Sequence, residues 1–290
     1  MDLIESASAM IDRAPRIALA GGAVTARAIA REIVGLDAGR VVLIGGSPGE
    51  GEELAAAAGG GAVAGKDLGA TKGCSLVVLA GEGPGAGTAD GTAACVARYA
   101  PEAVVLIAAE RSLPRARDFL NASRLPSRQV LAIGGLARVQ ARAANLASRF
   151  GLNDSQVSLL VAGGEDEKEL LELRRYTVAA GIPLALLTDA LKAGCVNGDR
   201  SIRPPSPGGE VSLASAAALI ADAVLRDRRR VLCCGVFAEA ARGLPALFAT
   251  LPAIIGRHGC EEIFPAPLTL EERSFLQRAA APAHDGDARR

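Results

Sequence analysis

From Arg16 onward, short unbroken apolar runs alternate with longer stretches in which apolar positions recur at helical spacing. Ile17–Ala20 precedes Ala23–Val34, Val41–Ile44 precedes Gly51–Ala58, and Leu76–Ala80 precedes Ala89–Tyr99. Val104–Ala108 then precedes Leu113–Ala122, and Gln129–Ile133 precedes Leu136–Phe150. Apolar strands without polar alternation are buried on both faces, and helices between them are the crossovers that parallel strands require. The pattern predicts an α/β doubly wound parallel sheet.

Past Ser155 the rhythm changes. Val157–Val161 reads as a strand turning at Gly163 and Gly164 into a charged helix, Glu167–Ala180, which ends at Gly181 and Pro183. The run from Pro204 to Gly209 is a loop before a long helix, Ser212–Asp227. Arg230–Phe237, Leu251–Ile255 and Glu261–Phe264 follow as strands, and Leu270–Ala280 closes as a helix capped at Thr269, with Glu272 three positions on. This antiparallel half predicts an α+β second domain. Residues 1–15 form an amphipathic helical extension, packed on its own domain or serving as a partner-binding arm, and 281–290 a disordered tail.

Composition narrows the function classes. Lys+Arg and Asp+Glu balance at 32 each, so charge offers no reason to expect nucleic acid or an anionic membrane as partner. No apolar run reaches the roughly 18 to 20 residues of a membrane span, and the acidic N-terminus does not suit a signal peptide. A cytoplasmic protein is expected. Cys74, Cys95, Cys195, Cys233, Cys234 and Cys260 are scattered without CxxC spacing, which favours buried free thiols over disulfides or a metal site.

The segment from Ser155 to Leu184, with Gly163-Gly164, Arg175-Tyr176 and Ala180-Gly181-Ile182-Pro183-Leu184 in order, resembles the centre of the malate/lactate dehydrogenase family. RIALAGGAVTARAIAREI resembles its first strand and nucleotide turn, and the segments RRRVLCCGVFAEA and LPAIIGRHGCEEIFPAPLTLEERSFLQ resemble its C-terminal hairpin and last helix. The resemblance spans roughly residues 16–280. It implies a degenerate Rossmann, NAD-binding-like domain at 16–135 and an α+β, substrate-domain-like domain at 136–280. It also implies hydride transfer between nicotinamide and a 2-hydroxy acid, with His as acid/base, Asp holding it and arginines binding the carboxylate.

The residues at those positions differ from the family pattern. In the GxGxxG turn Gly21 matches the first glycine, but Ala23 and Ala26 stand at the second and third. The acid that would hold the ribose is Gly45. A turn that no longer binds NAD is the expectation, so no cofactor is predicted. The surviving alternative is vestigial nucleotide binding through Gly21 and Gly22, with Ser47 near a 2′-phosphate. The histidine is replaced by Glu165, the aspartate by Arg138 and the carboxylate-binding arginine by Ala141; Arg142 lies one residue on, turned away and solvated. Thr-Asn-Pro becomes Ala108-Ala109-Glu110, and the lid becomes Gly81–Gly87 without arginine. His258, in the last hairpin turn, and His284 are not placed to substitute. Glu165 is expected on a solvated helix N-terminus, a role favoured over that of general base.

No catalytic residue and no metal ligand is therefore assigned. The expectation is a non-catalytic structural, regulatory or assembly subunit, a homo-oligomer or a hetero-oligomer with another protein. The resemblance suggests contacts through the helix after the second strand, the helix Glu167–Ala180 and the Ala-rich face Ser215–Ala223, whose alternative is packing within its own domain. Other readings are an NAD(P)-dependent oxidoreductase with an unorthodox site and a nucleotide or small-acid sensor.

Overall fold

The computed structural model describes residues 16–45, 49–59, 62–81, 89–165, 169–183, 186, 209–239, 246–265 and 267–279. The expected helix at 1–15 and tail at 281–290 lie outside them, as does Cys195. Six parallel strands form the first half of the sheet: β1 (Arg16–Gly21), β2 (Arg40–Ile44), β3 (Ala62–Gly65), β4 (Leu76–Ala80), β5 (Val104–Ala108) and β6 (Val130–Ala132). Their spatial order is β3-β2-β1-β4-β5-β6, that of a dinucleotide-binding sheet. Edge strand β3 was not foreseen, because its half-exposed apolar run, Ala62-Val63-Ala64, is flanked by glycines and shorter than those of the other strands.

Crossovers are α1 (Ala23–Gly35), α2 (Glu50–Ala58), α3 (Ala89–Tyr99), α4 (Ser112–Ser123) and α5 (Leu136–Phe150). Ile17, Leu19, Leu43, Leu76 and Leu106 point from the strands into one core layer and are at most 1% exposed. Each such side chain stabilises by about 1.5–3 kcal/mol relative to exposure. A second layer under the other face gathers Val77, Val105, Phe119 and Val130.

In the second half β7 (Val157–Ser158), β8 (Val161–Gly163), β9 (Leu170–Glu172), β10 (Val178–Ala179) and β11 (Ile182–Pro183) are short. Then come α6 (Gly209–Leu225), β12 (Arg230–Ala238), β13 (Leu247–Gly256), β14 (Gly259–Ile263) and α7 (Leu270–Ala279). The sheet runs on without a break through β6-β12-β13-β8-β9, with β14 also on β13, while β11-β10-β7 form a small separate sheet.

The predicted helix Glu167–Ala180 is not present. Leu170–Glu172 pairs antiparallel with β8, Arg174–Tyr176 is one 3₁₀ turn, and Val178–Ala179 pairs with β7. Glu, Leu and Arg favour helix only weakly, and tertiary burial overrides them: Leu170 and Leu173 are inserted into the core and Leu173 N–H reaches Leu160 O at 2.8 Å. A second correction concerns α6. Its buried alanines, among them Ala214, Ala217 and Ala221, are covered by α1 and α5 of the same chain, so this face is spent within the fold. The closing helix has its foreseen cap, with Glu272 N–H on Thr269 Oγ1 (3.2 Å) and Thr269 N–H on Glu272 Oε2 (2.7 Å).

Candidate functional site

Where a parallel sheet ends in loops at its carboxyl edge, ligands bind in the crevice at the switch between strands. Here that edge runs from Gly45 past Gly21 and Gly81 to Ala109. Gly21 has φ +152°, and a Cβ on it would stand 1.9 Å from Ala80 O, so only glycine can close this turn. Gly22 precedes α1 without a side-chain cap, and no acid occupies the first turn, leaving that helix end able to face an anion. The side chain of Ala23 and the whole of Gly46, Ser47 and Pro48 lie outside the described residues.

At the end of the second strand a side chain at Gly45 has no room. A Cβ on Gly45 would lie 2.5 Å from Glu50 Cβ and 2.6 Å from Gly51 N. The volume into which a ribose-binding carboxylate would project is filled by the start of α2. The start of α1 could meet a pyrophosphate, while Gly45 offers no carboxylate to an adenosine ribose. Of the lid, only Gly81 is described; its carbonyl accepts from Arg115 Nη1 of α4 at 2.5 Å and its N–H donates to Ala108 O at 2.9 Å. Ala108 and Ala109 are buried and Glu110 is exposed.

The residues around Gly164 form a different kind of place. Glu165 does not begin a helix. Its Oε1 accepts the Ser112 hydroxyl at 2.5 Å and the Leu113 N–H at 2.8 Å, at the first turn of α4. Glu165 thus lends its charge to the N-terminus of another helix, where the dipole favours it. Ser112 is fully buried, and its Oγ in turn accepts the Gly134 N–H at 2.8 Å. Arg138 Nε donates to the Glu165 carbonyl at 2.8 Å. Thr250, also fully buried, donates to Gly164 O at 2.7 Å and accepts from Gly135 N–H at 2.9 Å. The expectation of a solvated Glu165 is therefore corrected: its carboxylate ties together the Gly164 turn, α4 and the Gly134-Gly135 turn before α5.

Ala141 and Arg142 follow on α5, both half-buried. His258 is exposed in the turn between β13 and β14. Sequence reasoning missed Ser112 and Thr250. Ser112 stood just before a Leu-Pro pair at a helix start, a usual position for a capping hydroxyl, and Thr250 was the lone hydroxyl in an apolar strand. Burial raises the Cys233 thiol to about 11 despite the Val161 N–H it accepts, and raises Cys260 to about 11 as well. Among the described residues no group of His, Cys, Asp and Glu could hold a metal ion, and no helix is long and apolar enough to cross a membrane.

Residues 208–282 match the family model for the lactate/malate dehydrogenase alpha/beta C-terminal domain. Malate dehydrogenase 1 of Anaeromyxobacter dehalogenans is 27% identical over 195 residues, 63% of this chain and 61% of that protein. Malate dehydrogenase of Ehrlichia chaffeensis is 30% identical over 196 residues, 62% of this chain and 61% of its own length. The matched stretch thus spans about three fifths of these curated relatives. In three dimensions, lactate dehydrogenase of Cryptosporidium parvum, crystallised with lactic acid and b-nicotinamide adenine dinucleotide, superposes with a TM-score of 0.76 at 22% identity. That fit covers 91% of this chain and 94% of the other. Malate dehydrogenase of Aeropyrum pernix gives 0.75 at 22% identity, over 91% and 94%. At these identities the structural likeness concerns the fold alone.

Proposed function

Because the chain belongs to the malate/lactate dehydrogenase family, we propose that it is a non-catalytic member, a cytoplasmic structural, regulatory or assembly subunit that works as a homo-oligomer or beside another protein. One observation carries this reading. Where the resemblance implies a histidine facing substrate, Glu165 turns its Oε1 to the Ser112 hydroxyl and the Leu113 N–H. A general base must present a free lone pair to the proton it removes, and the Glu165 oxygen that is bonded twice has its lone pairs directed at α4.

Three further features support it. Arg138 faces the Glu165 carbonyl instead of orienting a base, Ala141 offers no charge for a substrate carboxylate, and Gly45 is packed too tightly against Glu50 for a ribose ligand. Replacing all of these at once leaves nothing to hold the reacting atoms in line, and positioning is worth about 7–11 kcal/mol of barrier. The bonds around Glu165 stabilise the native state while contributing no proton transfer.

The test is titration calorimetry with NADH and NADPH, together with NADH oxidation in the presence of oxaloacetate or pyruvate. No heat and no turnover are expected, and Glu165→His should gain none, since Arg138 and Ala141 are unchanged. A rate near one per second, within the ordinary range for enzymes, would overturn the proposal for either form. Heat without turnover would instead identify a nucleotide sensor. The mass in solution should exceed the 29.4 kDa chain, or the chain should co-purify with a defined second protein; a lone monomer defeats the assembly role.

A further inference from the structure

Among the described residues, a cavity of about 630 Å³ opens between β12, β14 and the segment leading into α7. Its lining includes none of Gly21, Gly45, Ser112, Arg138 and Glu165, so it is separate from the crevice discussed above. The volume falls within the range of small-molecule pockets, roughly 300–1,000 Å³. We propose that it binds an amphipathic monocarboxylate, with the apolar body inside and the carboxylate on Arg273.

The walls are apolar and held in place. Leu173, Phe237, Leu251, Ile263, Phe264 and Leu268 supply the interior. Pro267, on the same wall, is pinned through its carbonyl, which accepts from Arg175 Nη2 at 2.8 Å and from the Tyr176 hydroxyl at 3.4 Å. Phe264 N–H reaches Pro252 O at 2.8 Å, and Arg175 also pairs with Glu272 at 2.6 Å. The apolar part of the wall favours an apolar occupant; Ser127 and Arg128 also line the cavity, Arg128 exposed to solvent.

Charge selects the head group. Arg273 lines the cavity half-buried, and no carboxylate or carbonyl among the described residues reaches its guanidinium. A guanidinium partly withdrawn from water without a partner is costly, and a carboxylate meets its paired N–H groups in bidentate fashion. Glu261, by contrast, is already engaged by Arg229 at 3.1 Å. Glu239 and Glu262 stand exposed on the lining, where they repel a second negative group. One carboxylate on an apolar chain fits these constraints.

Calorimetric titration of the full chain with octanoate and, as the uncharged control, octan-1-ol tests the assignment. Octanoate should bind at least about ten-fold tighter, the least expected of one charge-assisted pair. Arg273→Gln should abolish that preference and leave octan-1-ol binding unchanged, while Arg278→Gln, an exposed position on the same helix, should alter neither. No binding of octanoate, equal binding of acid and alcohol, or a preference that survives Arg273→Gln would each overturn the proposal.

Discussion

The crevice contains two regions that depart from the family pattern in opposite ways. At the end of β2, where the resemblance implies an acid, the departure is one of close packing: Gly45 lies against Glu50 and Gly51, beside Gly21, which matches the pattern and lies against Ala80. At the Gly164 turn, departure means side-chain hydrogen bonds, with Glu165, Ser112, Arg138 and Thr250 joining three turns of the chain. Close packing of this kind needs no polar partner, only a residue small enough to admit its neighbours. A catalytic polar cluster cannot simply be emptied, because buried N–H and C=O groups left behind must still find partners. Here Glu165, Ser112 and Thr250 supply those partners.

Substitutions separate these two mechanisms. The largest effect is expected at Gly21→Ala, where positive φ and a backbone oxygen within 2 Å of the new methyl combine. A loss of about 4 kcal/mol or more, measured by urea unfolding, follows from overpacking plus strain. A near-neutral result would mean that the turn is not closed by packing. Thr250→Val keeps the shape but strands Gly135 N–H and Gly164 O in the interior, and about 2–3 kcal/mol should be lost. If the loss stays below about 0.5 kcal/mol, the junction is not held by its hydrogen bonds.

Ser112→Ala should cost somewhat less, about 2 kcal/mol, because Glu165 retains the Leu113 N–H. Combined with Glu165→Gln in a double-mutant cycle, it should show a coupling of about 1 kcal/mol. Strict additivity would mean that the two side chains act separately. Both variants should leave coenzyme binding as it was, since neither opens the space at Gly45.

Asp227, outside both regions, supplies the smallest effect and an electrostatic reference. The Arg257 N–H and guanidinium hold its carboxylate below the ordinary 3.8. A depressed folded value means that its contribution is present above the unfolded pKa and fades as pH falls through the folded one. The melting temperatures of the wild type and Asp227→Asn should therefore differ slightly at pH 7 and converge in strong acid. A gap unchanged down to pH 2 would show that the pair contributes no charge-dependent stability.

Much of this molecule is legible before any coordinates. The period of apolar runs identifies five of the six parallel strands and their crossovers to within about a residue, because a strand buried on both faces admits almost nothing polar; half-exposed β3 lacks that signal. The residues at the positions where the resemblance implies a histidine, an aspartate and an arginine are equally readable, since each is a matter of residue type at a position. What the residues at those positions now do is not readable. Glu165-Asp166-Glu167-Lys168 has the composition of a helix start, yet Glu165 caps a helix that begins 53 residues earlier in the chain, and Leu170–Glu172 joins a sheet. Local propensity differs between helix and strand by less than about 1 kcal/mol per residue, whereas burying Leu170 and Leu173 and pairing β9 with β8 each outweigh it. Periodicity and chemistry along the chain determined the fold and the residue types at the candidate site; partners distant in sequence, brought together only by the continuous sheet, decided what those residues touch.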